Sequence, residues 1–542
     1  MTFLRSTLPM AFVALALALA SSAPAHDGKV HAIRLSHGRW FDGEHFVARD
    51  VFISGGVLHD RWTGEVEDTL DLSGKFVIPP LANAHTHDPS DTAHFAAAEY
   101  ALLQSGVFAI KNPNLPGSST PGLRARLARG SVLEARFANG GLTSPGGHPV
   151  QIYEGGGHGE TATLPPKRRW ANDAYVEIAD AAELAKAWPK VLAGKPDFIK
   201  VYLESSEHHA ARREDPAMVG KRGIDPALLP EVVRRAHAAK LAVAVHVTSA
   251  EDVRTSVAAG ADELAHLPLE PITDADARAI ARAGMTVVTT LVSHRSASST
   301  ELDAVHRENL RRLEAAGVRL ALGTDHPTRD VIDEAIEMQR LGVVTGTALV
   351  RLAAIETWRS IFPERPTPAL TNGREASFLV LDADPSADIG NLRRIHLRVK
   401  RGQIVQPVAP TTKPSVAQAM LPQLMQGKLP AAFAVYDSLK RSAPEQYDFS
   451  EQALNQLGYA MLQHGQAKGA VAIFERNAQE FPRSANVFDS LADGYLAAGD
   501  TAKAVTAYRQ VIENLPRNPQ YPPGYAKGLE QRAREWVARR EK

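Results

Sequence analysis

The stretch FVIPPLANAHTHDPSD, residues 76–91, ends an apolar run with two histidines one residue apart, His85 and His87. Alternate residues of a strand share a face, so the two imidazoles project together if the run is extended. Alone, such a pair is weak evidence, because the chain carries 20 histidines and a wet surface can hold two neighbours by chance. Its meaning depends on what stands at the ends of the other strands.

Residues 30–76 alternate short strand-like pieces with turns, as in HAIRLSHGRWFDG and HFVARDVFISGGVLHD. Period-two alternation with Gly-Gly and Asp-Gly punctuation indicates antiparallel β structure. The same texture returns at 374–406. Between them the pattern changes to buried strands followed by amphipathic, Ala-rich helices: GVFAIKN, PDFIKVYLE, LAVAVHVTS, ADELAHLPL, GMTVVTTLV and VRLALGTDH. This alternation predicts an α/β fold, a (β/α)8 TIM barrel over residues 77–369. It is flanked by a small β-sandwich built from N- and C-terminal strands, residues 26–76 and 370–406. After a linker at 407–414, residues 415–542 read as all-α. Leu457, Gly465, Ala470, Phe474 and Pro482 recur 34 residues later as Leu491, Gly499, Ala504, Tyr508 and Pro516. That period, with small, aromatic and proline positions, is the signature of a tetratricopeptide repeat. The segment 427–444 is a degenerate preceding unit, supplying the third repeat that stacking needs.

At 542 residues the chain is too long for one core, and 44% hydrophobic with 23% charged residues is a globular composition. Lys+Arg and Asp+Glu both total 61. That balance gives no electrostatic support for a nucleic-acid partner. Residues 1–25 have an early arginine, an apolar stretch from Met10 to Ala20 and Ala23-Pro24-Ala25, the pattern of a cleaved signal peptide. The apolar run is short for a membrane span. The expectation is an exported, periplasmic protein with no stable membrane insertion after cleavage. The chain has no cysteine, so thiolate chemistry is excluded and a metal must be held by N and O donors.

The predicted strand ends carry a series: His85 and His87, then Lys200, His246, His266 and Asp325. The C-terminal strand ends are where barrel enzymes build active sites. Six groups of this type in this order are hard to reach by accident.

In this series, and in the flanking segment LVLDADPSADIGNLRRIHLRVKRGQIV, the chain resembles the amidohydrolase superfamily, its imidazolonepropionase-like and prolidase-like members above all. The resemblance spans residues 30–406 and implies a metal-dependent hydrolase. His85, His87 and Asp325 would bind one divalent metal, and His246 and His266 a second. Lys200, an ammonium with no lone pair to offer, would carry the family's carbamate and bridge the two. The bland reading of Lys200 is a buried lysine paired with a carboxylate beside a single metal. Zinc suits N and O ligands in hydrolysis. A metal-activated hydroxide would attack an amide, cyclic amide or dipeptide C–N bond, with Asp325 and His266 as catalytic groups and Asp325 moving the proton.

For a small-molecule or dipeptide-like substrate, the candidate contacts are His148 in the glycine-rich loop 144–160, Lys111 at the end of the second strand, and Tyr202. A solvated His148 in a flexible-sequence loop is an equal reading. Thr248 stands where many prolidase-like members carry tyrosine, which counts against binding of a dipeptide carboxylate. His208 and His209 read as surface residues. The chain has no GxSxG, SxxK or HExxH. The rival expectation is an exported scaffold with a non-catalytic barrel, and in either case the repeats offer a surface for a protein partner or self-association.

Overall fold

The computed structural model describes residues 32–154, 170–294, 300–407, 413–425, 427–463, 466–518 and 523–540. The expected signal peptide, residues 155–160 of the glycine-rich loop and most of the expected linker lie outside them. The chain divides into two compact units, Met1–Val408 and Ala409–Lys542.

The first unit is mixed α/β. The segments expected as two parts of a sandwich join in one eight-stranded sheet. Its seam is the short apolar strand Phe76–Ile78, which pairs in parallel with Ala32–Phe41 and antiparallel with Phe378–Leu381. Trp40 and Phe378, both buried, meet edge to face across this sheet at 5.4 Å. The sequence alternation identified the strands but carried no information on which would be neighbours.

Phe76–Ile78 leads through Pro79 and Pro80 straight into Leu81–Asn83, the first strand of a parallel set. A three-stranded parallel sheet contains Leu81–Asn83, Val107–Asn112 and Glu134–Phe137. A seven-stranded parallel sheet runs in the order Tyr175–Glu177, Gly141–Thr143, Ile199–Tyr202, Val243–His246, Glu263–Ala265, Thr286–Val288, Arg319–Ala321. Apart from Glu134–Phe137, most residues of these strands are buried, as expected of parallel strands covered on both faces, and this explains their apolar runs. Beyond the ladders, the Ala84 amide donates to the Leu322 carbonyl at 2.8 Å, and Thr324 and Asp325 both donate to the His85 carbonyl at 2.9 Å.

Three of the connecting helices are fixed at both ends by local chemistry. Ser249, Thr273 and Asp330 each cap a helix with a reciprocal box closed by Asp252, Asp276 and Asp333. Gly260, Gly284 and Gly342 end those helices in the left-handed conformation.

The second unit is a stack of helices: Val416–Met425 with Leu429–Ser442, Glu451–Gln463 with Ala467–Glu480, Ala485–Ala497 with Thr501–Asn514, then Pro523–Arg540. The repeat positions form its core. Phe474 is fully buried and lies so close to Gly458 and Gly494 that an added Cβ would meet its ring at 2.3 and 2.7 Å. Tyr459 donates to Asp493, one repeat length away, at 2.9 Å. No described helix of either unit is long and apolar enough to cross a membrane. Phe474→Ala is expected to destabilise the second unit by about 3–5 kcal/mol. Hydrogen exchange resolved on peptides 415–540 should show faster exchange there, with peptides 32–400 unchanged.

Candidate metal centre

The strand ends converge. His85 Nε2 lies 3.6 Å, His87 Nε2 3.0 Å and His266 Nε2 3.8 Å from the Asp325 carboxylate. The donor atoms of His85, His266 and Asp325 all lie within 4.8 Å of one another. The His246 ring sits 4.5 Å from that of His266. The convergence follows from backbone geometry. The His85 carbonyl anchors Thr324 and Asp325, and a Cβ on Gly323 would stand 2.6 Å from that of His85, so the last strand can approach this closely only through glycine. Asp325 and His266 have φ of 44° and 151°, conformations that non-glycine residues adopt at a cost of about 1–3 kcal/mol and that cluster at functional sites.

Neighbouring groups fix the histidine rings. His87 Nδ1 is 2.9 Å from the Asn114 carbonyl oxygen, and His266 Nδ1 is 2.8 Å from the Thr290 hydroxyl. Each therefore presents Nε2 to Asp325, the arrangement in which an outer group selects the tautomer of a metal-binding histidine. Thr290 is held in turn by its flanks: buried Glu334 accepts from the amides of Leu291 and Val292 at 2.8 and 2.9 Å and from the Thr289 hydroxyl.

Electrostatics suit a cation. Burial, outweighing the pull of Asp325, drives His85 well below the ordinary histidine pKa; His266 is driven down the same way, with His246 adding to the effect. Both are neutral, with lone pairs to offer. Burial acts to raise Asp325, but its interactions with the surrounding histidines, the hydrogen bond from His87 among them, outweigh it and bring it well below the ordinary carboxylate value. His87 moves the other way, because its hydrogen bond to Asp325 overcomes burial.

Lys200 is 2% exposed and its ammonium has no hydrogen-bond partner. Burial brings its pKa down to about 7. The expected alternative, a lysine paired with a carboxylate, is realised by a different residue. Lys111 lies 2.7 Å from Glu263, both buried, and over the Phe198 ring at 4.3 Å. Lys111, expected from the sequence as a substrate contact, is thus paired inside the fold. His148 packs on His246 with ring centroids 5.1 Å apart and on Tyr202 at 4.9 Å. Tyr202 is buried, and burial raises its hydroxyl well above the ordinary value, so it stays protonated.

Thr248, at the position where tyrosine is common, is tied to Asp252 through its amide at 2.9 Å and its hydroxyl at 3.1 Å. His208 is exposed, whereas His209 Nε2 is enclosed without a partner. Sequence reading missed Glu204, which lies 3.2 Å from His246, and His294, whose ring is 6.2 Å from that of His266. Glu204 was recoverable, since Lys200, Tyr202 and Glu204 alternate onto one face of a strand and its extension.

Residues 490–518 match the tetratricopeptide repeat family. A search of curated protein sequences returns no match. Among solved structures, an Xaa-Pro dipeptidase with bound methionine in the active site is 19% identical, with a TM-score of 0.56, over 69% of this chain and 100% of its own. A prolidase complexed with N-methylphosphonate-L-proline is 19% identical, at 0.53, over 69% and 99%. A molinate hydrolase is 17% identical, at 0.55, over 71% and 97%. Prolidase and amidohydrolase-family proteins are thus the structural neighbours of the first unit. At these identities the likeness defines its fold.

Glu334 offers a test of how the ring-fixing loop is held. Burial lifts its pKa from 4.5 to about 7, so the folded chain binds the proton more tightly than the unfolded one. The stability contributed by that proton is complete below pH 4.5 and is lost as pH rises through about 7. Glu334→Gln cannot gain or lose a proton. The difference in unfolding free energy between wild type and Glu334→Gln should therefore shrink from pH 5 to pH 8 in urea titrations.

Proposed function

We propose that the first unit is a metal-dependent hydrolase of C–N bonds built on a closed barrel of its parallel strands. The observation that carries this reading is the meeting of His85, His266 and Asp325 beside a buried, unpartnered Lys200. The backbone bonds between residues 84–85 and 322–325 support closure of the two parallel sheets into one barrel. All these residues would then stand on the rim that carries catalysis in such folds.

The donor set fits divalent cations, zinc first. His85, His87 and Asp325 would hold one, and His246 and His266 a second. The neutral amine of Lys200, made accessible by the fall of its pKa to about 7, is the form that adds carbon dioxide, and the resulting carbamate would join the two. Cations bound here would polarise a substrate carbonyl and acidify water. The chain's own part is proton handling and orientation. Asp325 accepts a proton from the attacking water and returns it to the leaving nitrogen, so that one C–O bond forms as the C–N bond breaks. His266, locked by Thr290, steadies that carboxylate. Tyr202 donates a hydrogen bond to substrate, with the His148 ring set edge-on beside it.

The neighbours named for Xaa-Pro dipeptides, molinate and phenylureas support an amide or related carbonyl–nitrogen bond in a small molecule. Export through residues 1–25 and a docking or self-association role for the repeats complete the proposal.

The decisive experiment is a screen of zinc-reconstituted protein against N-acyl amino acids, dipeptides and ureas, with bound metal measured in parallel. Hydrolysis of at least one class is expected, and Asp325→Asn should lower it by about 10²–10⁴-fold without altering the helical unit. Full turnover by Asp325→Asn would refute the assignment, and a protein that takes up no metal would favour the scaffold reading. With ¹³C-bicarbonate, a carbamate resonance should arise in wild type and be absent in Lys200→Met.

A further inference from the structure

The role of Glu204 goes beyond the ligand set just described. Its Oε2 lies 3.2 Å from His246 Nε2, and the side chains are 18% and 13% exposed. Two donors on one tetrahedral zinc, each about 2.0–2.2 Å from it, stand roughly 3.3 Å apart. The contact therefore has the spacing of two ligands sharing one cation.

Backbone register brings the pair together. Tyr202 pairs with His246 across adjacent parallel strands, and Glu204, two residues on, extends past the strand end on the face shared with Lys200 and Tyr202. The loop is then clamped. Asp252, fully buried, accepts from the Ser205 amide at 3.0 Å and the Ser206 amide at 2.8 Å. It accepts from the Ser206 hydroxyl as well. The same carboxylate holds the amide and hydroxyl of Thr248, two residues beyond His246. One buried acid thus fixes the segments carrying Glu204 and His246 against each other. Thr248 serves this clamp at the position where the resemblance led us to look for a substrate-binding tyrosine.

We propose that Glu204 is a ligand of the second cation in this chain, sharing it with His246. The proposal rests on the two-metal reading above. A carboxylate there adds a negative charge beside His246, and the unpartnered amine of Lys200 lies close by, 5.2 Å from the centre of the Tyr202 ring. Lys200 as a carbamate and Glu204 as a carboxylate would give that cation two anionic donors with His246.

The test is metal binding itself. Full-length protein stripped by a chelator is titrated with Zn²⁺ against a chromophoric competitor, and separately with Co²⁺ while its visible absorption is followed, for wild type, Glu204→Gln, Glu204→Ala and Asp325→Asn. Circular dichroism confirms folding. Wild type is expected to take two equivalents. Removing a group that merely supports a ligand costs about 10–100-fold in affinity, so Glu204→Ala should weaken the second equivalent by at least about 100-fold. The first equivalent should be unchanged, and the cobalt spectrum of the second should alter.

Glu204→Gln should fall between the two, and Asp325→Asn should weaken the first equivalent instead. Two equivalents at wild-type affinity, with an unaltered cobalt spectrum in Glu204→Ala, would overturn the role of Glu204 and leave the hydrolase reading standing. A single equivalent in wild type that Glu204→Ala does not weaken would do the same. A wild-type protein that binds neither ion would overturn both.

Discussion

The carbonyl of His85 is the point on which the centre depends. It accepts the amides of both Thr324 and Asp325, and so fastens the end of the last parallel strand to the end of the first. Without that junction His85 and His87 would lie at one sheet edge and Asp325 at another. The glycine before it is part of the same constraint, because any side chain at Gly323 would collide with His85. Backbone hydrogen bonding does the placing here. The ionisable groups tune one another only after they have been brought together.

That order explains the electrostatics. An isolated carboxylate as enclosed as Asp325 would resist ionisation. The hydrogen bond from His87, whose own pKa is raised by Asp325, helps to reverse the balance, while His85 and His266 are too desolvated to hold protons. His85 and His266 are thus neutral nitrogen donors beside one anion, next to an amine whose pKa burial has brought down to about 7. Lys111 shows the contrast. A short distance away in the fold, a lysine of similar burial has a partner, Glu263, at 2.7 Å.

Much of this was legible in the sequence. The strand-end series from His85 to Asp325 could be read because each member follows its own apolar run, a local pattern. The repeats could be read because a 34-residue period is visible in one dimension. The rest depended on contacts between distant segments. The Lys111–Glu263 pair spans 152 residues and the Ser206–Asp252 bond 46, and nothing local marks either partner. For the same reason the flanking strands could be recognised while their union in one sheet could not, since alternation reports a strand's faces and not its neighbours. Thr290 and Glu334, which orient His266 from behind, look in the sequence like ordinary residues of a turn and a helix.

The bond from Tyr459 to Asp493 joins equivalent levels of successive helix pairs, one period apart. Because each such link reaches only its neighbour, the helical tail behaves as a one-dimensional lattice. Its length can change by whole periods with every link re-formed at the new boundary. A gain or loss of a fraction of a period between the two helix pairs would part Tyr459 from Asp493, so tails of this kind are quantised in the lengths they can adopt.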